Sequence, residues 1–123
     1  PTPWRRPFKM AAAKHNTIVS HGEDYSFTLT VKTSGNTGVN ITDDTFTAEI
    51  RRDGGKPLVA SFSCVITDAS NGVLTATLNK AESLKLDGNV NYKWDMFRFE
   101  NTSSVTTRLI YGDVKVENNV TDI

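Results

Sequence analysis

Apolar and polar residues alternate with a period of two along most of the chain. In GEDYSFTLTV, at 22–31, the apolar side chains fall on one parity and the hydroxyl side chains on the other. The stretch TTRLIYGDVKVENNVT, at 106–121, repeats this alternation. Such alternation is typical of a β-strand with one buried face. Along the whole chain it predicts seven strands, at 15–20, 25–31, 45–53, 58–67, 73–79, 90–100 and 105–117.

Turn signals separate these strands at intervals of about ten residues, which is typical of a β-sandwich. The only helix-like piece is KAESLKL at 80–86. It predicts a corner that crosses between the sheets, with Ala81, Leu84 and Leu86 packed down. The fold predicted is all-β: an Ig-like antiparallel β-sandwich of about seven strands with one short helical turn and an extended N-terminal arm. The Cys…Trp…Cys spacing of antibody domains is absent, so the likeness is one of architecture.

The sixth predicted strand carries apolar residues on both faces. Tyr92, Trp94 and Met96 share one parity, whereas Phe97 and Phe99 share the other. Either a β-bulge reverses the register between the two sets, or the strand is apolar on both sides. One parity has to fill the sandwich, which leaves the other to bury against a neighbouring subunit. Phe97 and Phe99 are therefore candidate interface residues.

Residues 1–14, PTPWRRPFKMAAAK, are predicted to form an extended arm. Three prolines among the first seven residues disfavour both helix and sheet. Aromatic and arginine side chains are frequent hot-spot residues at protein interfaces. The domain organisation predicted is this arm, a β-sandwich at 15–117 and a polar tail at 118–123. The candidate partner-binding residues of the arm are Trp4, Arg5, Arg6, Phe8 and Lys9.

The formal net charge of the chain is zero, but the charges are unevenly divided. Residues 1–14 carry four basic side chains and no acidic one, so the arm has a charge of +4 and the rest of the chain −4. The body has no basic face, so nucleic-acid binding is not expected. No apolar run approaches the length that spans a bilayer. We therefore expect protein partners, with no nucleic acid and no membrane.

The chain lacks the short motifs that mark common catalytic and phosphate-binding sites, such as GxSxG, HExxH, GxGxxG and the Walker loop. His15 and His21 lie close to acidic residues, but a third clear metal ligand is missing. Cys64, the single cysteine, shares a parity with apolar neighbours and is expected to be a small buried side chain. We therefore predict a protein that is not an enzyme and uses no cofactor.

An ordered series of short motifs carries a family resemblance over roughly residues 15–118. The motifs are GEDYSFTL at 22–29, TFTAEIRR at 45–52, ASF at 60–62, DASNGVLT at 68–75, LNKAESLKL at 78–86, YKWD at 92–95 and TRLIYGDVKV at 107–116. In their order and spacing, these motifs resemble the small β-sandwich virion structural proteins of tailed bacteriophages. The chain is similar to the N-terminal domain of phage upper baseplate proteins.

This resemblance implies a structural or adaptor protein of a tailed phage virion, without catalytic residues. We expect it in the tail or baseplate, at a point of fibre attachment, with other phage structural proteins and copies of itself as partners. The implied localisation is the virion, assembled in the bacterial host cytoplasm. A capsid decoration or head-accessory protein is the alternative within the particle. A carbohydrate-binding module, in which sugars stack on the aromatic cluster around Trp94, is the alternative from another class.

Overall fold

The computed structural model describes residues 13–33, 35–52 and 57–119. Within these residues the chain forms eight strands, one short α-helix and one 3-10 turn. The strands are β1 (Ala13–Lys14), β2 (Thr17–Ser20), β3 (Tyr25–Thr30), β4 (Asp44–Arg52), β5 (Leu58–Asp68), β6 (Val73–Leu78), β7 (Tyr92–Glu100) and β8 (Val105–Glu117). The helix α1 spans Lys80–Ser83, and the 3-10 turn spans Ala69–Asn71.

The strands form one curled sheet whose two halves pack as the layers of a sandwich. The first half of β5 pairs with β4 and its second half with β6, so β5 belongs to both layers. One layer runs β8-β7-β4-β5, with β1 and β2 at its edge, and the other runs β5-β6-β3. In an immunoglobulin-like sandwich, β3, β6 and the end of β5 take the places of strands B, E and D, and β4, β7 and β8 those of C, F and G. The predicted all-β fold is confirmed.

The first two strands depart from the predicted antiparallel arrangement. β1 and β2 both run parallel to β8, so the sheet is mixed at this edge. Between them the chain passes over Gly112, where a Cβ atom would lie 2.1 Å from the carbonyl oxygen of His15. The strand predicted at 15–20 therefore begins only at Thr17, whereas β1 lies at the end of the predicted arm 1–14, so the boundary between arm and sandwich was predicted too late in the chain. Alternation shows which face of a strand is buried but not which strand lies beside it, so it does not reveal the parallel pairing.

Tyr92 marks the corner at which the chain enters β7. Its hydroxyl accepts a hydrogen bond from the backbone amide of Asp87 at 2.8 Å. Immunoglobulin domains carry a tyrosine with this type of contact at the start of strand F, two residues before the second cysteine. In this chain the residue two positions after Tyr92 is Trp94, which indicates that an aromatic side chain stands where that cysteine would be.

Trp94 links the two layers at the centre of the core. It is 3% exposed, and its ring centroid lies 5.7 Å from that of Phe27 on β3. Phe62 on β5 packs against both rings, at 5.3 Å from Trp94 and 5.8 Å from Phe27. The indole Nε1 donates a hydrogen bond to the His15 carbonyl oxygen at 2.9 Å. Aromatic packing therefore joins β3 to β7, the two strands that the missing disulfide would join.

α1 forms the predicted corner crossing between the layers, but a different set of residues packs down. Ser83 and Leu86 are buried, whereas Ala81 and Leu84 are exposed. The prediction was therefore right for Leu86 and wrong for Ala81 and Leu84. The helix is a single turn, so a helical face does not extend over the whole segment. Instead, the Ser83 hydroxyl turns inward and donates to the Glu23 carbonyl oxygen at 2.8 Å.

Candidate functional site

The outward side chains of β4, β7 and β8 form one continuous surface, called the β7 face below. Phe97 and Phe99 lie on it, and they remain 38% and 36% exposed, respectively. Aromatic rings of this exposure are natural contact points for a partner. The members of the β7 face are Thr45, Thr47, Glu49 and Arg51 on β4, Lys93, Asp95, Phe97 and Phe99 on β7, and Thr106, Arg108, Tyr111 and Asp113 on β8.

Phe97 and Phe99 face outward because β7 keeps its alternation along its whole length. Trp94 and Met96 point into the core on the opposite parity. The register between β7 and β8 shifts beside Met96 and Phe97, where β8 contributes the extra residue, Leu109. Of the two interpretations of this segment, the strand that is apolar on both sides is the correct one. The bulge belongs to the neighbouring strand.

The neighbours of the two phenylalanines leave their rings uncovered. Phe97 lies opposite Thr47 on β4 and Arg108 on β8, and Phe99 lies opposite a threonine on each side. A threonine side chain is too short to cover an aromatic ring on the adjacent strand. More than a third of each phenylalanine therefore stays in contact with water, and its burial by a partner would be favourable.

A groove of about 420 Å³ adjoins Phe97 on the same face. Arg108 connects the two features, because it lies directly opposite Phe97 and also lines the groove. Three cationic side chains, two carboxylates and two aromatic side chains line it. The groove is lined by Glu49, Arg51, Lys93, Trp94, Asp95, Arg108, Tyr111 and Gly112.

The charged side chains of the groove are held by partners on the sheet itself. Arg51 Nη2 lies 2.8 Å from Glu49 Oε1, and Lys93 pairs with an acidic residue of β8. The guanidinium of Arg108 lies over the Tyr111 ring, 4.6 Å from its centroid. This stacking leaves the edge of the guanidinium available to donate hydrogen bonds. Side chains that are ordered before binding lose less conformational entropy when a partner docks.

Asp95 lies among these cations, yet burial raises the pKa of its carboxyl. Arg108 and Arg51 oppose that rise, whereas the negative charge of Glu49 adds to it. The carboxylate of Asp95 is thus partly withdrawn from water. A partner that brings a hydrogen-bond donor or a cation into the groove would stabilise its charged form.

The β7 face combines the residue types that concentrate in the centres of protein interfaces. Phenylalanine, tyrosine and arginine are all enriched there. Phe97 and Phe99 offer apolar contact, and Arg108 offers planar hydrogen bonding to a carboxylate or a carbonyl oxygen. The arrangement is therefore suited to docking a protein surface with one apolar ridge and a polar side chain that enters the groove.

The remaining predicted site residues cannot be placed on this surface. Trp4, Arg5, Arg6, Phe8 and Lys9 lie outside the described residues, so their binding role stays a prediction. The groove residues, in contrast, were missed by the sequence-based prediction. Their signal was the row of charged residues on the outward parity of three strands, and it becomes visible only once β4, β7 and β8 are known to be adjacent.

The histidines and the cysteine lie elsewhere. The His15 ring packs 6.0 Å from the Phe27 ring, and the Nδ1 atom of His21 bonds to the Leu86 carbonyl oxygen at 2.8 Å. Burial raises the pKa of the Cys64 thiol to about 11, so the thiol stays protonated at neutral pH. Among the described residues, no three His, Cys, Asp or Glu side chains are grouped so as to hold a metal ion.

Comparisons with known proteins do not indicate a function for this chain. No protein-family model matches the sequence, and no curated protein matches it. In the part of the chain that the structure describes, no helix is both long enough and apolar enough to cross a membrane. The fold and the β7 face are therefore the features from which a function can be argued.

Proposed function

We propose that the chain is a non-enzymatic structural or adaptor protein of a tailed phage virion, placed in the tail or baseplate at a point of fibre attachment. It docks onto neighbouring phage structural proteins through the β7 face, during assembly in the bacterial cytoplasm. The observation that carries this proposal is the pair of exposed phenylalanines, Phe97 and Phe99, beside a groove lined by arginine and tyrosine. The sequence resemblance to virion β-sandwich proteins supplies the class of partner.

The two phenylalanines provide the apolar part of the contact. Covering the exposed part of each ring contributes on the order of 1 kcal/mol. Arg108 and Tyr111, stacked beside them, provide the oriented polar part. Small interface centres of this kind carry most of the binding energy, while the surrounding residues exclude water. In this proposal the threonines of β4 and β8 form that surrounding ring.

The arm at 1–14 supplies a second contact in the same proposal. Its charge of +4 is opposite to the −4 of the rest of the chain. Opposite charges on two binding surfaces accelerate encounter and favour the correct orientation. Trp4 and Phe8 then anchor the arm on a neighbouring subunit, while the β7 face holds the sandwich itself.

The double variant Phe97→Ser/Phe99→Ser tests the docking role of the face. Both side chains are partly exposed, so the variant is expected to fold. Supplied as the full chain to assembling particles that lack their own copy, it should be incorporated at least about tenfold less, a loss of about 1.4 kcal/mol in binding. Quantitative mass spectrometry of purified particles measures this incorporation.

Val65→Ser is the matched control, because Val65 is 57% exposed on the outer side of the other layer. It should enter particles like the unmodified chain. Equal incorporation of the double variant and the control would contradict the proposal. The same measurement separates the two locations, since hundreds of copies per particle indicate a capsid decoration protein and a few dozen or fewer indicate the tail or baseplate.

The carbohydrate-binding alternative finds less support in the geometry. Trp94 is buried in the core and presents no ring face to a sugar. A sugar would have to stack on Phe97, Phe99 or Tyr111 instead. Binding to a glycan array that disappears in the Phe97→Ser/Phe99→Ser variant, together with normal particle incorporation, would favour that alternative over an adaptor.

A further inference from the structure

The strand β3 has an unpaired edge. It ends the strand order of the sheet, and among the described residues it forms a ladder only with β6. Val31 donates its amide to the Gly72 carbonyl oxygen at 2.8 Å. In an antiparallel ladder the direction of the backbone groups alternates, so Ser26, Thr28 and Thr30 turn their N–H and C=O groups away from β6. These three residues are called the β3 edge below.

The β3 edge carries none of the features with which proteins usually block a free strand. Its register with β6 continues over six pairs without a bulge. The segment YSFTLT contains no proline, no glycine and no charged residue. Charged side chains, prolines and bulges are the common means of preventing edge pairing. An edge without them is a template for the addition of another strand.

The opposite edge of the curled sheet is built differently. β1 and β2 together pair with β8 over six residues, but the crossing at 15–16 over Gly112 interrupts them. Ile18 is exposed on the outer side of β2. Of the two ends of the strand order, β3 therefore offers the uninterrupted edge.

We infer that the β3 edge pairs with the β3 edge of a second copy of this chain, antiparallel, with Thr28 opposite Thr28. Residues that lie opposite each other in an antiparallel pair have side chains on the same side of the sheet. This register sets Ser26 opposite Thr30, so outward side chains meet outward side chains. On the inner side, Phe27 lies opposite Leu29, and the apolar layer continues from one copy into the other.

The composition of the edge favours a second copy over another kind of strand. All three outward residues carry hydroxyl groups, and Ser/Thr pairs across strands are stabilising. No like charges are brought together at the two-fold axis. The register opposes all three residues of each edge and forms about six backbone hydrogen bonds. The contact is isologous, so it closes as a dimer with a six-stranded layer and does not propagate.

Charge substitutions at Thr28 test this register in the full chain. Sedimentation of the unmodified protein over a concentration series should show a mass that rises toward twice that of one chain. Thr28→Lys and Thr28→Glu, each alone, place like charges opposite each other, and each should weaken association at least tenfold. An equimolar mixture of the two variants should regain it, because Lys then lies opposite Glu. Recovery in the mixture requires residue 28 of one copy to lie close to residue 28 of the other, as it does with Thr28 at the axis.

Thr75→Lys is the matched control. Thr75 lies directly beside Thr28 on the same outer face, but on the interior strand β6. It should leave association within about twofold of the unmodified chain. The mass of one chain at every concentration would overturn the inference. The β3 edge would then remain available to residues 1–12 or to a strand of another protein. An equal loss in Thr75→Lys, or no recovery in the mixture, would also overturn it. None of these outcomes bears on the docking role of the β7 face.

Discussion

The two outer surfaces of the sandwich have opposite chemical characters although they cover the same core. The β7 face combines three basic and three acidic side chains with two exposed phenylalanines and a tyrosine. The outer surface of the other layer, called the β6 face, has a single charged side chain, Asp68, at the end of β5. Its members are Ser26, Thr28 and Thr30 on β3, Ser63, Val65, Thr67 and Asp68 on β5, and Val73, Thr75 and Thr77 on β6.

This difference teaches where selectivity is located in the molecule. Charges of both signs and aromatic rings on the β7 face favour a partner with a matching surface and disfavour others. The β6 face offers mostly hydroxyl side chains, and its backbone edge at β3 is open to a second copy. We therefore assign recognition of other proteins to the β7 face and self-association to the edge of the β6 face.

The largest effect on stability is expected from a substitution in the core that the two surfaces share. Trp94→Ala removes the ring that packs on Phe27 and Phe62, and should lower the free energy of unfolding by about 3–5 kcal/mol. Phe97→Ala, on the opposite side of the same strand, should cost about 1 kcal/mol or less. Denaturant unfolding measures both. Similar losses of stability in the two variants would contradict the placement of Trp94 in the core and of Phe97 on the outer surface.

A smaller effect on stability is expected when the Tyr92 hydroxyl group is removed. A second tyrosine of the same layer, Tyr111, provides the comparison. Tyr92→Phe leaves the Asp87 amide without its 2.8 Å acceptor and should cost about 1 kcal/mol. Tyr111→Phe is the control, because its ring can still lie under Arg108. It should leave stability unchanged. Thermal unfolding of both variants is the measurement, and an equal shift in their midpoints would contradict a specific role for the Tyr92 corner.

The smallest effect concerns Asp95, whose folded-state pKa is raised by burial. A raised pKa means that the protonated form is favoured in the folded chain. The contribution of this group to stability is therefore present below its unfolded pKa of about 3.9 and is lost as the pH rises through the folded value. Asp95→Asn should stabilise the protein at neutral pH by a few tenths of a kcal/mol, after solvent screening.

Urea unfolding at several pH values checks this sign. The advantage of Asp95→Asn over the unmodified chain should grow as the pH rises through the acidic range and become constant near neutrality. A variant that is less stable than the unmodified chain at neutral pH would contradict it. That outcome would indicate that the Asp95 charge is needed by Arg108 and Arg51 to order the groove.

The sequence predicted the strands well because alternation is a local property. The inward parity of β3, β4, β6, β7 and β8 follows directly from which residues are apolar, and the structure agrees for residues such as Phe27, Leu74 and Trp94. The parallel pairing of β1 and β2 depends on neighbours that are distant in the chain. It therefore has no local signal, apart from the glycine at the crossing.

The candidate site was predictable only in part, for the same reason. Phe97 and Phe99 stand out within one strand, because their parity conflicts with that of Trp94. The groove requires three strands to be adjacent, and Arg51, Arg108 and Tyr111 look like ordinary solvent-facing residues in the sequence. Likewise, the openness of the β3 edge follows from the strand order and not from the composition of β3 alone.

Sedimentation of three full-length proteins tests the assignment of the two surfaces most directly. The unmodified chain and the Phe97→Ser/Phe99→Ser variant should dimerise equally as concentration rises, whereas Thr28→Lys should keep the mass of one chain over the same range. The opposite pattern, with dimerisation lost in the phenylalanine variant and kept in Thr28→Lys, would contradict the account. Self-association would then belong to the β7 face.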